Sequence, residues 1–221
     1  MSNRKEELES NLRAVEEEVR SFNPTLIVVT KTYPISDVEI LADLGVRDFG
    51  ENRSREGLEK SAALEDNRSG LTWHYQGEIQ SKKLREITSW AKCIHSLDSA
   101  DHGMKLNRTL DSRSIDTFIQ LSLDGDPSRG GVVESEIFAL AASISQLPQV
   151  NLRGIMCVPP VTMDPVAAFS KVGAIHQRFT VEFPHAPNLS AGMSGDYLLA
   201  LHHGATHIRV GSKILGSRQY H

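Results

Sequence analysis

The feature that most constrains this chain is an alternation repeated eight times without interruption: a short apolar run, then a stretch with helical periodicity. The first run, Leu26-Ile27-Val28-Val29, is four consecutive aliphatic residues with β-branched members, a pattern suited to a strand buried on both faces of a parallel sheet. Pro34 ends it, and Ser36-Asp37-Val38-Glu39 reads as a capping box opening a helix through Ile40, Leu41 and Leu44 to Gly45. The same unit recurs from Val46 to Gly50 with a helix from about Glu51 to Leu64, and from Leu71 to Tyr75 with a helix from Ser81 to Trp90. Cys93 to Leu97 precedes a helix from Ser99 to about Leu110, and Thr117 to Leu123 precedes one ending near Ser145. Leu152 to Val158 is followed by Asp164 to Phe179, Asn188 to Ala191 by Ser194 to His203, and His207 to Val210 by a short turn from Ser212 to Gly216. Eight such units predict an α/β fold, a (β/α)8 TIM barrel, instead of an open sheet. No linker divides them, so residues 1–221 are expected to form a single domain, within the roughly 200 to 250 residues that such barrels reach undivided. Ahead of the barrel, Leu8, Leu12, Val15 and Val19 recur at helical spacing and predict an extra N-terminal helix from Asn3 to Arg20, its glutamates forming a solvated face.

Composition narrows the function classes. A formal charge of −4, with 24% charged and 39% hydrophobic residues, fits a slightly acidic globular protein and gives no sign of a nucleic-acid partner. Cys93 and Cys157 lie in strand-like runs far from any zinc-knuckle spacing, so reduced buried thiols and no metal are expected. A polar N-terminus and the lack of a membrane-length apolar run predict a cytoplasmic protein without a membrane partner.

In a barrel of this kind chemistry sits where the strands end. Lys31 follows the first strand, where partial desolvation lowers an amine toward the range in which it attacks a carbonyl, making it a candidate Schiff-base residue. Glu51 and Asn52 follow the second strand, and His74 and Gln76-Gly77 lie at the third. Ser194 follows the seventh, and Arg209, Gly211 and Ser212 close the eighth. Loops after strands seven and eight form the usual phosphate site of such barrels, and Gly192-Met193-Ser194 with Gly211-Ser212 have suitable chemistry: close backbone approach plus hydroxyls that can cap helices. A lysine and an anion cradle in one mouth point to a phosphorylated carbonyl ligand.

These residues carry a resemblance. Thr30-Lys31-Thr32-Tyr33-Pro34, Phe49-Gly50-Glu51-Asn52, the segment from Trp73 to Lys83, the segment from Leu189 to Asp196 and the segment from Ile208 to Gly216 together resemble the five ordered motifs of the pyridoxal phosphate homeostasis protein family, small single-domain relatives of the alanine racemase barrel. The resemblance implies that Lys31 forms the internal aldimine with pyridoxal 5'-phosphate (PLP), that Ser194, Gly211 and Ser212 hold its phosphate, and that Arg209 faces the pyridine nitrogen. It implies further that Asn52 lines the cofactor's edge and that His74 sits beneath the mouth. Gln76 and Lys82 stand where the family more often has an aliphatic residue and an asparagine, and Ser212 keeps the hydroxyl of the commoner threonine.

A carrier is expected rather than a catalyst. An arginine facing the ring nitrogen cannot protonate it, which weakens the electron sink that PLP chemistry uses. Racemases of related fold add a second domain and a partner's tyrosine, whereas here no second domain is expected after His221, and Tyr33 and Tyr220 are the only phenols suggested nearby. The expectation is a monomer that holds PLP and passes it to PLP-dependent apo-enzymes. The alternatives are a weak amino-acid racemase and a Schiff-base aldolase without a bound chromophore. Other features receive ordinary structural readings: His202, His203 and His207 as a cluster near a helix end, Lys82, Lys83 and Arg85 as a solvated face, Asp124 to Gly131 as a loop without a nucleotide-loop lysine, and His95 as a satisfied interior histidine.

Overall fold

The computed structural model describes residues 2–65 and 70–216. Among them eight strands, β1 (Thr25–Val29), β2 (Asp48–Glu51), β3 (Thr72–Tyr75), β4 (Cys93–Leu97), β5 (Ile115–Leu121), β6 (Val150–Cys157), β7 (Asn188–Met193) and β8 (His207–Val210), close into one barrel in sequence order. Every neighbouring pair is parallel, and β8 closes on β1 with Thr25 beside His207 and Val28 beside Val210. The helices α2 (Ile35–Asp43), α3 (Ser54–Glu65), α4 (Leu84–Trp90), α5 (Ala100–Thr109), α6 (Glu134–Ile144), α7 (Pro165–Glu182), α8 (Tyr197–His202) and α9 (Ser212–Leu215) follow the strands in turn. This is the (β/α)8 architecture expected from the alternation, preceded by α1 (Ser2–Val19). No described helix is long and apolar enough to cross a membrane.

Most of the buried apolar surface lies in one cluster that joins strands to the surrounding helices, while Cys93, Phe118 and Met156 form a smaller one. The close packing depends on glycine at several positions, Gly57 and Gly154 among them. A Cβ on Gly57 of α3 would stand 2.3 Å from the Trp90 ring of α4, and a Cβ on Gly154 of β6 would stand 1.8 Å from the backbone oxygen of Asn188 on β7.

Three local expectations are corrected by tertiary contacts. Ser36 does not cap α2: the helix starts at Ile35 after an extended Pro34, without a side-chain cap. Asp37 instead turns to Arg4 of α1, whose Nη2 donates to Asp37 Oδ2 at 2.6 Å and to the Leu215 carbonyl at 3.0 Å. The glutamates of α1 are not all solvated, because Glu18 accepts from Lys213 Nζ at 2.7 Å and from the Tyr197 hydroxyl. With Asn11 Nδ2 donating to the Ile214 carbonyl at 3.0 Å, α1 braces the turn after β8 from behind. His207 parts from His202 and His203: it faces Phe118 at 5.1 Å inside the barrel, while the His202 ring meets Phe22 at 4.9 Å outside it.

Candidate functional site

The turn after β1 has an uncommon backbone. The Tyr33 N–H closes it on the Thr30 carbonyl at 3.0 Å, with Lys31 second and Thr32 third at φ 69°. That third position is one where turns favour glycine, and a β-branched residue there is strained. The turn is held from α3: Lys60 Nζ donates to the Thr30 carbonyl at 2.7 Å, and Glu56 Oε1 accepts the Thr32 N–H at 2.6 Å. Lys60 also pairs with Glu51 at 2.8 Å, so Glu51 points away from the mouth into the seam between barrel and α3, contrary to expectation. Burial raises the Glu51 carboxyl above its ordinary value, against the opposing pull of Lys60.

Lys31 lines a cavity of about 260 Å³ with Val29, Tyr33, Gln76, Met193, Ser194, Gly195, Arg209, Gly211 and Ser212. Five of the seven expected site residues, Lys31, Ser194, Arg209, Gly211 and Ser212, therefore meet in one place. Ser194 does not cap a helix, since α8 begins only at Tyr197. Its Oγ accepts the Gly211 N–H at 3.2 Å and the Lys213 N–H at 3.4 Å, and so marks where two backbone amides converge. Ser212 lies within α9 and likewise gives no cap. The Tyr33 hydroxyl, at the edge of the same cavity, donates to the Gly216 carbonyl at 2.6 Å. Tyr220 lies outside the described residues.

Arg209 is buried, and burial pushes its guanidinium down to about 10. Its Nη2 donates to the Cys157 carbonyl at 3.1 Å and its Nη1 to Ser190 Oγ at 2.7 Å. From Ser190 a chain of contacts runs through the barrel: Ser190 Oγ to His95 Nδ1 at 2.9 Å, His95 Nε2 to His74 Nδ1 at 2.9 Å, and His74 Nε2 to Asp48 Oδ1 at 3.0 Å. A guanidinium only donates, so the Ser190 proton turns to His95, the His95 Nε2–H to His74, and the His74 Nε2–H to the Asp48 carboxylate. Neutral imidazoles suit this order, and burial holds His95 well below the ordinary histidine range.

The same chain corrects the expectation for His74. His74 does not approach the Lys31 cavity; it lines a separate one of about 420 Å³ among the amino-terminal ends of the strands, with Thr25, Asp48, Asp116, Arg153 and His207. The atoms of His74, Cys93 and His95 lie within 4.8 Å of one another, a metal-like grouping, but the ring nitrogens are already committed to the chain of hydrogen bonds. Both thiols are free and buried, with Cys157 pushed up to about 12 by burial. Asn52, just past β2, is half-buried and absent from the cavity lining; its Oδ1 is buried without a partner.

Gln76, the departure that the sequence left without a role, joins two spaces. Besides the Lys31 cavity it lines a larger one of about 540 Å³ bordered by Asp98, Ser122, Asp124 and Arg129 after the neighbouring strands. Its Nε2 is a buried donor without a partner and lies 2.6 Å from where a Cβ on Gly50 would be, so glycine at position 50 makes room for it. The unsatisfied amide, the two converging N–H groups and the lysine form a donor set that fits a phosphorylated aldehyde.

Residues 4–219 match the alanine racemase N-terminal domain family. The pyridoxal phosphate homeostasis protein of Corynebacterium glutamicum is 42% identical over 202 residues, covering 87% of this chain and 90% of that protein. Among solved structures, PipY of Synechococcus elongatus without PLP superposes with a TM-score of 0.88 at 32% identity, covering 95% of this chain and 100% of PipY. PipY with PLP bound gives a TM-score of 0.85 at the same identity and coverage.

Proposed function

We propose, from the premise that the chain belongs to the alanine racemase N-terminal domain family and, within it, to the pyridoxal phosphate homeostasis proteins, that it binds PLP at the carboxyl mouth of the barrel and serves intracellular PLP homeostasis. The observation that carries this is the convergence of Lys31, Arg209 and the Ser194, Gly211 and Ser212 group on one cavity. When bound, PLP supplies a reactive aldehyde and a ring able to draw electrons. Lys31 would supply the amine that condenses with the aldehyde carbon, with loss of one water. The Gly211 and Lys213 amides, which converge on Ser194 Oγ, and the Ser194 and Ser212 hydroxyls would hold the phosphate. Arg209 would face the ring nitrogen with an N–H not used toward Ser190 or Cys157 and, because it does not give up its proton, would keep the ring a weak electron sink.

The site favours holding over turnover. Among the described residues lining the Lys31 cavity there is no carboxylate and no histidine, and Tyr33 already donates its proton to a carbonyl. A second acid–base group facing the lysine is thus missing from the lining, and racemisation requires one on each side of the carbon that loses its proton. We therefore read the protein as a cytoplasmic, monomeric carrier that releases PLP to apo-enzymes. One observation favours weak racemase activity as a second reading: a larger cavity that shares Gln76 with the Lys31 cavity has room for an amino acid.

Visible absorption spectra of wild type and Lys31→Ala with added PLP test the binding mode. A yellow wild type beside a variant showing only free cofactor is expected, and identical spectra would overturn it. Following the optical rotation of L-alanine with loaded protein tests the carrier role, which sustained turnover would overturn.

A further inference from the structure

We propose that the group formed by buried Lys60 and Glu51 with half-buried Glu56 is a positioning device for Lys31, fixing the backbone on both sides of it so that the amine is presented to the mouth. The inference rests on Lys31 being the residue that captures the aldehyde. Lys60 is 6% exposed, and its ammonium makes three donor contacts: to the Thr30 carbonyl at 2.7 Å, Glu51 Oε1 at 2.8 Å and Glu56 Oε1 at 2.7 Å. Those contacts use all the protons an ammonium has. Glu56 Oε1 takes the Thr32 N–H at 2.6 Å as well, and Glu51 Oε1 takes the Thr30 hydroxyl at 2.7 Å. One ion pair on α3 thus grips the residue before Lys31 by its carbonyl and the residue after it by its amide.

Stability alone gives little reason for such a group. A buried ion pair is often no more stabilising than an apolar replacement, because desolvation offsets the attraction. Here the pair is aimed at a turn whose Thr32 sits at φ 69°, a conformation that a β-branched residue leaves unless the surroundings hold it. A lysine side chain has many rotamers, and fixing the direction of its Cα–Cβ bond removes part of the freedom lost when the amine meets the aldehyde. Lys60, Glu56 and Glu51 are positioning residues in this scheme; none of them lines the Lys31 cavity.

The test separates capture from binding. Pyridoxine 5'-phosphate has an alcohol in place of the aldehyde, so its affinity reports the phosphate and ring contacts alone. Borohydride reduction followed by mass spectrometry of the Lys31 peptide reports covalent capture of PLP. Glu56→Ala should keep the analogue's affinity within about twofold while lowering the capture constant about tenfold, the scale of one lost hydrogen bond to a charged group. Glu56→Gln retains a side-chain carbonyl for the Thr32 N–H and should recover most of the loss. Lys60→Met should show a deeper loss of capture; if it does not fold, the two Glu56 variants decide the matter. Capture by Glu56→Ala equal to wild type overturns the positioning role, as does a parallel fall in analogue affinity and capture. A wild type that captures nothing overturns the Lys31 reading and the positioning role together.

Discussion

Acidification should destabilise the protein through the histidines inside the barrel, and His207 allows the effect to be sized. Burial pushes its imidazole down to about 4, from an ordinary value of 6.5. The folded state therefore keeps His207 neutral while the unfolded chain takes up a proton, so the stability it contributes is complete above pH 6.5 and is lost as the pH falls toward 4. At pH 5 the loss is about 2 kcal/mol, from the difference in proton uptake between the two states. His95, also held low by burial, acts in the same direction. Glu51, held high by burial, acts in the opposite direction, since the folded state protonates it first. The Glu51 contribution is common to wild type and a His207 variant and cancels in their difference, as does that of His95 apart from the share of its shift that His207 itself causes. Urea unfolding of wild type and His207→Gln at pH 7, 6 and 5 is the assay. Glutamine keeps a polar side chain without a titrating proton, so the variant should lose about 2 kcal/mol less than wild type between pH 7 and pH 5. Equal losses in the two proteins would refute the account of His207 as a neutral, half-buried base.

Gly154→Ala should prevent stable folding, or cost about 3 kcal/mol or more, because the new Cβ meets the Asn188 carbonyl oxygen at 1.8 Å, backbone that cannot move aside without parting β6 from β7. Soluble yield and a urea midpoint close to wild type would contradict this. Thr32→Gly should stabilise: the left-handed conformation costs an L-residue about 1–2 kcal/mol, the added freedom of the unfolded chain offsets about 0.4–1 kcal/mol, and the exposed side chain has few contacts to lose. A rise in Tm of about 2–4 °C measured by calorimetry is expected for a gain near 1 kcal/mol in a chain of this size. Ser194→Asp should leave the melting temperature within about 2 °C yet weaken PLP binding at least tenfold in a spectral titration, by placing a carboxylate where the Gly211 and Lys213 amides converge.

The barrel and its N-terminal helix were legible in the sequence because both follow from local periodicity. Runs such as Leu26 to Val29 can only be buried on both faces, and eight of them separated by helices close most simply into a ring. The order of the motifs likewise placed Lys31, Ser194, Arg209, Gly211 and Ser212 at strand ends, and these share a cavity. What the same apolar runs conceal is facing. A strand covered on both sides shows no alternation of apolar and polar residues, and a shift of one residue sends each side chain to the other face. Only the assembled barrel decided that Glu51 turns outward to Lys60, that His74 looks toward Asp48 and the opposite end of the barrel, and that His207 enters the interior. The same holds for Asp37 and Ser194, whose side chains could have bonded locally but meet Arg4 and the Gly211 amide from distant parts of the chain. Local sequence sets which hydrogen-bonding groups a residue offers; packing of remote segments sets which partner reaches it first.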